Sequence, residues 1–350
     1  MNLIITYDYE LFGDGSGHIF KHIIEPTDKI LQICEQHQIK TTLFFEVVEY
    51  WYIKKEWDKG NQMGYTQNPI LAIENQLKKA YKNGHDIQLH FHPQWLGAEF
   101  KVGKWHLKMQ NWRLGDFEPT DGIDTLNLFL KGIETIKQIL KPLDSDYEPT
   151  IIRAGGYNIQ PSTLVADAML NTRLKIDSSV YPGGYENGAL SRYDYRNVTH
   201  DKDYWIPDLN DFSKANRNLN TLKEIPIFSL NIPRWKKFTF ERIKSILVNK
   251  DSAMKSVKAK TAQKSKIEKI KYWFEKEAVT WDFCLFSKNL NKYYIKFINK
   301  QLQGKRDTFI LIGHPKNFTS PKSLSQLIKL AKKNGFEFIT LQEYAKRISS

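Results

Sequence analysis

Apolar residues recur along this chain in two rhythms, and the alternation between them predicts its elements. Leu3-Ile4-Ile5 and Thr41-Thr42-Leu43-Phe44-Phe45 are short continuous runs, as strands buried on both faces read. Between them Ile30, Ile33 and Cys34 recur at helical spacing over 28–37. Pro26-Thr27-Asp28 puts a proline and a capping residue just ahead of that helix, so residues 1–45 predict a β-α-β unit. A second unit comes next. A helix around 75–81 ends at Asn83-Gly84, and Asp86-Ile87-Gln88-Leu89-His90-Phe91-His92 then alternates as a strand.

The same pattern continues with helices over 124–140 and 161–170 and strands over 150–153 and 174–177. Phe309-Ile310-Leu311-Ile312 is a further strand, followed by a helix over 323–334 and a closing strand over 336–341. Residues 95–118, rich in Trp, Gly and charge, predict an irregular excursion facing the substrate side. Repeated strand-helix alternation predicts an α/β fold with parallel strands, as a barrel or a layered sheet.

Charge changes this picture in one place. The 350 residues carry a net +13, and 234–276 alone holds fourteen Lys or Arg against four acids, or +10. We read 234–305 as a basic, mainly helical insertion that divides one domain into 1–233 and 306–350. From Lys255 to Lys271 lysines recur at mostly helical spacings, with Ile267, Ile270, Trp273 and Phe274 as an apolar stripe. Such a segment suits phosphate, on an anionic membrane surface or on a lipid- or nucleotide-linked sugar, and equally a merely solvated helix face. No nucleic-acid motif accompanies the charge, so nucleic acid is not expected. The first residues lack the charged and apolar regions of a signal peptide, and no run approaches the roughly 20 apolar residues of a membrane span. A cytoplasmic protein, at most associated with the inner membrane face, is the expectation. Cys34 and Cys284 are too few for a disulfide framework or a cysteine zinc site.

Candidate chemistry sits at the carboxyl ends of the predicted strands, where α/β folds assemble their sites. Asp8 and Glu10 are two apart, which points both carboxylates to one side, and His90 and His92 share that spacing. Arg153, Asp177 and His314 stand at three further strand ends. Singly each has a bland reading: a solvated strand end, a surface ion pair, a structural histidine. Together, two imidazoles and a carboxylate with room for water make up a catalytic rather than a structural metal site.

In order and spacing these segments resemble the five motifs of the polysaccharide deacetylases of the NodB-homology type, carbohydrate esterase family 4-like, across nearly the whole chain outside 234–305. The resemblance implies a distorted (β/α) barrel. It implies Asp8 as catalytic base, Arg153 holding that base, His314 as general acid and Asp177 as the carboxylate paired with His314, although the tryptophan usual beside that Asp is missing. Tyr9 stands where a metal-binding acid is usual, so Glu10 is the expected ligand. His90 matches the first motif histidine, but the second, four residues on, is Gln94, so His92 is expected to take its place. Tyr157 and Trp95 are expected to contact substrate, with Trp105 and Trp112 as further sugar-facing candidates. The cofactor would be a divalent metal, zinc first, with manganese, iron, cobalt or nickel as alternatives. The implied reaction is hydrolysis of an N-acyl, in the first place N-acetyl, group on a lipid- or nucleotide-linked sugar of surface-polysaccharide synthesis. Two other readings stand beside it: a catalytically silent sugar-binding relative, suggested by Gln94, and a metal hydrolase acting on another acyl group. The oligomeric state is not indicated.

Overall fold

Parallel pairing organises the whole sheet of the computed structural model, which describes residues 1–216, 221–250 and 271–349. The strands are β1 (Asn2–Tyr9), β2 (Thr42–Glu46), β3 (Asp86–Phe91), β4 (Ile151–Ala154), β5 (Ile176–Asp177), β6 (Lys223–Glu224), β7 (Thr308–Leu311) and β8 (Glu337–Phe338). Their order is β6-β5-β4-β3-β2-β1-β7, with β8 pairing the start of β1. Beyond β6 the chain crosses from β5 to β7: Ile225 N–H donates to Asp177 O, Ile227 N–H to Val180 O and Phe228 N–H to Ile310 O. Ile227 bridges Ile310 in parallel sense. The sheet thus closes on itself as a distorted barrel, its seam made by an irregular segment rather than a full strand.

A barrel needs two cores, and two are present. Ile4, Phe44, Ile151, Ile176, Ile225 and Ile310, about one residue per strand, form a separate cluster inside the barrel. The larger cluster, including Leu3, Ile5, Tyr7, Leu43, Ile87 and Leu89, lies between sheet and helices. Alternation along each strand divides the two sets.

Helices α1 (Glu25–Gln36), α3 (Pro69–Lys82), α4 (Thr125–Leu140), α5 (Thr163–Leu170) and α8 (Pro321–Lys333) fall where the periodicity places them. Helix α2 (Val47–Asp58) was not legible. It buries Glu49 and Glu56 with Val47, Val48, Tyr50 and Ile53, so no clean apolar stripe marks it. Its start is capped by Glu46, which accepts from Val48 N and Glu49 N. The closing strand over 336–341 shrinks to the two residues of β8, and α9 (Leu341–Ser349) comes after it. Residues 95–118 contain a small hairpin, Glu99–Lys101 with Lys104–His106.

Of 234–305, the structure describes α6 (Phe240–Val248), α7 (Lys288–Phe297) and a strand, Lys276–Thr280, antiparallel to Ser229–Pro233. The Lys255–Lys269 lysines lie outside the described residues. Residues 281–284 are built into the barrel wall, because Trp281 N–H donates to Phe228 O and Phe283 N–H to Ile312 O, with Trp281, Phe283 and Cys284 fully buried. Among the described residues no helix is long and apolar enough to cross a membrane.

Candidate metal centre

Ile4 points into the barrel, so the same alternation carries Thr6, Asp8 and Glu10 up the inner wall of β1 to the carboxyl-end mouth. On β3 and its continuation the residues of matching phase are His90 and His92. In register across the sheet, Glu46 lies beside His90 and His90 beside Arg153.

These side chains converge. Glu10 Oε2 lies 3.1 Å from His90 Nε2 and 2.6 Å from His92 Nε2. Ligand atoms of Glu10, His90 and His92 all lie within 4.8 Å of one another, and all three residues are buried. His92 Nε2 makes no well-aligned hydrogen bond despite its buried position. Two imidazole nitrogens facing one buried carboxylate oxygen are a donor set that fits a divalent cation.

The contacts behind these atoms set their orientation. His90 Nδ1 is 2.9 Å from Arg153 O, where it donates, so in the neutral ring Nε2 carries the lone pair toward Glu10. Behind His92 stands Gln94, fully buried, its Nε2 2.8 Å from His92 Nδ1 and its Oε1 without a partner. A half-turn of that amide offers Oε1 to an Nδ1–H and leaves His92 Nε2 free to ligate. Gln94 therefore orients the His92 ring.

Arg153 Nη1 donates to Asp8 Oδ1 at 2.8 Å and to Thr6 Oγ1 at 2.9 Å, while its Nε donates to Ser178 O at 2.8 Å. Phe44 underlies the guanidinium at 4.0 Å. Burial works against the Asp8 carboxylate, but Arg153 and then His90 and His314 outweigh it, holding the carboxyl below its ordinary range. Burial likewise opposes charge on Glu10, and Lys316, His92 and His90 reverse it, taking the group well below the usual carboxylate range. Burial pushes the neighbouring Glu49 up to about 8 and raises Glu46 well above its ordinary value.

His314 approaches from the loop after β7, its Nε2 3.5 Å from Asp8 Oδ2 and 3.7 Å from Glu10 Oε1. It is the accessible member, with its side chain 20% exposed. Burial depresses its proton affinity, helped by Lys316 and opposed by Asp8, Glu10 and Asp282.

Two expectations need correction. Asp177 does not face His314: its neighbour Ile176 fills the barrel interior, so Asp177 turns to the other face. There it accepts from Ser179 N and Oγ beside Glu224, whose carboxyl is raised well above its ordinary value by burial and then by the Asp177 charge. Besides Asp8 and Glu10, the carboxylate whose charge favours the His314 imidazolium is Asp282, which pairs with Ile312 and accepts from Cys284 N and Leu285 N. Trp95 does not reach the mouth. It is 1% exposed, edge-on to buried Trp105 at 5.0 Å. Trp112 is the tryptophan beside the centre, 5.8 Å from the His92 ring, with its indole N–H unpartnered. Tyr157 is half-buried at positive φ and packed on Tyr181 at 4.9 Å, its phenol raised by burial first and then by Tyr181 and Asp8.

Lys316 was missed altogether. Its Nζ donates to Glu10 Oε1 at 2.6 Å and to Leu11 O at 2.5 Å, with only 8% of its side chain exposed. The two-residue step that links Asp8 to Glu10 and His90 to His92 also links His314 to Lys316, and was the available signal. Asp282 had none, standing among Trp281, Phe283 and Cys284.

No family model matches this sequence, and no curated protein sequence matches it. Among solved structures the chain is similar to an allantoinase, at 10% identity and TM-score 0.48, covering 99% of this chain and 89% of that one. It is similar to a peptidoglycan N-acetylglucosamine deacetylase at 14% identity and TM-score 0.35, covering 98% and 86%. A family 4 acetyl xylan esterase from Clostridium thermocellum, solved with a cobalt ion, is similar at 12% identity and TM-score 0.35, covering 98% and 89%.

Proposed function

We propose that this chain hydrolyses an N-acyl group, in the simplest case acetyl, on a sugar, with Glu10, His90 and His92 holding one divalent metal ion. A bound ion there supplies Lewis-acid polarisation of the acyl oxygen and makes a nearby water more acidic. The residues around it supply the proton transfers. Asp8, kept ionised by Arg153, takes the proton of the attacking water as its oxygen bonds to the acyl carbon. His314, on the far side of Asp8, delivers a proton to the nitrogen as the C–N bond breaks, giving carboxylic acid and free amine. Asp282 favours the charged imidazole, and Trp112 and Tyr157 offer ring surfaces beside the centre for a sugar face.

The observation that carries this reading is the convergence of a buried His-His-Glu cluster with a separate, arginine-held carboxylate and an accessible histidine. Acetate release from N-acetylated amino sugars, with metal content followed in parallel, tests it. His314→Ala should remove turnover and keep the metal, whereas retained turnover in that variant rules out His314 as the acid.

One observation favours a second reading, a metal-free sugar-binding protein. The Lys316 ammonium already compensates Glu10 at 2.6 Å, as a bound cation would. Metal content separates the two.

A further inference from the structure

Helix α6 is inside out. Its residues Glu241, Ser245 and the following Asn249, one turn apart, are buried, whereas Phe240 and Leu247 are 74% and 68% exposed. Ile243, Ile246 and Val248 stand out to solvent beside them. A helix on a water-facing surface normally turns its apolar stripe inward.

The orientation is enforced by specific bonds. Ser323 Oγ donates to Glu241 Oε1 at 2.6 Å, Ser245 Oγ to Asn317 Oδ1 at 3.1 Å, and Asn249 Nδ2 to Lys316 O at 2.8 Å. Thr239 Oγ1 caps the helix by accepting from Arg242 N and donates to Leu285 O. The polar face is therefore clasped to the loop that carries His314 and Lys316, and the apolar face is left outward.

That face continues onto neighbouring segments. Trp235, Phe238 and Phe274 are exposed, and Phe238 packs edge-on against Trp273 at 4.6 Å. Of the exposed large apolar side chains among the described residues, more than half come from 235–248, 272–274 and Tyr293, so the exposure is concentrated rather than scattered. Cations border it. Lys244, Lys250, Lys271 and Lys276 are exposed, and Lys236 Nζ sits over the Tyr293 ring at 3.8 Å.

We infer that this face docks on an anionic lipid bilayer. Exposed Phe, Leu and Ile flanked by Trp, Tyr and Lys match the boundary between acyl chains and head groups, where aromatic rings settle and lysines meet phosphate. A second copy fits less well, because a two-fold contact would bring each lysine-bordered patch against its own like charge, and interface centres are depleted of lysine. Because α6 is clasped to residues 316–323, docking holds the barrel mouth close to the bilayer. Resting on the hydrolase reading, this makes the acylated sugar one carried on a membrane lipid. The docking itself does not depend on that reading.

Co-sedimentation of the full chain with vesicles tests the inference, using phosphatidylcholine alone and phosphatidylcholine mixed with phosphatidylglycerol. The wild type should pellet with the anionic vesicles and much less with the neutral ones. Phe240→Ser with Leu247→Ser should weaken that partition at least about tenfold, and Lys244→Glu with Lys250→Glu should weaken it similarly. Circular dichroism and metal content should stay at wild-type values in both pairs, as should release of acetate from a soluble N-acetylated sugar. Failure of the wild type to pellet with anionic vesicles overturns the proposal, whether or not sedimentation velocity then finds a dimer covering the face. Undiminished pelleting by both variant pairs overturns it equally. Pelleting without acetate release leaves the docking standing and removes only the hydrolase.

Discussion

The barrel has a buried polar cluster at each end, and the two differ in kind. At the floor, Asp86 accepts from Thr42 Oγ1, Gln88 Nε2 and Gln342 N, and Gln88 Oε1 accepts from Thr150 N and Ile151 N. His85 Nδ1 takes up Thr41. At the mouth, Gln94 Oε1 and His314 Nδ1 lack partners, His92 Nε2 meets only the Glu10 carboxylate and at poor alignment, and His90, Asp8, Glu10 and Lys316 crowd one point. Between the two lies the apolar layer of Ile4, Phe44, Ile151, Ile176, Ile225 and Ile310. A cluster whose groups satisfy one another is structure, whereas one that leaves buried groups unmatched has a ligand to meet. Cavity size points the wrong way here, since the cleft of about 790 Å³ lined by Asp86, His85 and Tyr147 belongs to the floor.

The contrast is broken if mutations at the two ends behave alike. The largest difference is expected from Asp8→Asn at the mouth, which should lower kcat by about 10³ or more with metal content retained, the scale of a lost general base. A turnover loss of similar size in Asp86→Asn at the floor would erase the distinction.

At the floor the expected readout is stability against pH. Burial lifts Asp86 to about 6, so its contribution is full below its unfolded value near 4 and lost as pH rises through about 6. Burial takes His85 down to about 4, so its contribution is full above about 6.5 and lost as pH falls toward 4. The two slopes oppose each other in nearly the same window. Urea unfolding between pH 4 and 6.5 should therefore show stability rising on acidification in His85→Gln and falling in Asp86→Asn, each by on the order of 3 kcal/mol. Unchanged slopes in both variants would mean that neither group is buried as described.

The smallest effect separates two carboxylates. Asp282→Asn preserves the caps to Cys284 and Leu285 but removes the charge beside His314, and should cost about tenfold in kcat, roughly 1.4 kcal/mol. Asp177→Asn should leave kcat within about twofold of the wild type. The reverse order would restore Asp177 to the role its motif position suggests.

Which parts were legible depends on how local their causes are. β1 and β3 announce themselves because a continuous apolar run and an alternation are both properties of adjacent residues, and the two-residue period of a strand places Asp8 with Glu10 and His90 with His92. Closure of the barrel rests on 225–228 leaving β5 for β7, a path that no local pattern encodes. Asp177 misled because a two-residue strand gives too little alternation to fix its face, and only Ile176 in the interior settles it. Helix α6 was unreadable for the opposite reason. Its apolar stripe is plain, but the bonds from Glu241, Ser245 and Asn249 turn it outward.

Metal analysis of the purified wild type beside Glu10→Ala and His92→Ala tests the central claim most directly. About one divalent ion per chain in the wild type, lost in either variant, is the predicted result, since removing one of three protein ligands leaves too few to hold it. A wild type that stays metal-free when ions are supplied, or variants that bind as the wild type does, would contradict it and leave Lys316 as the cation of this site.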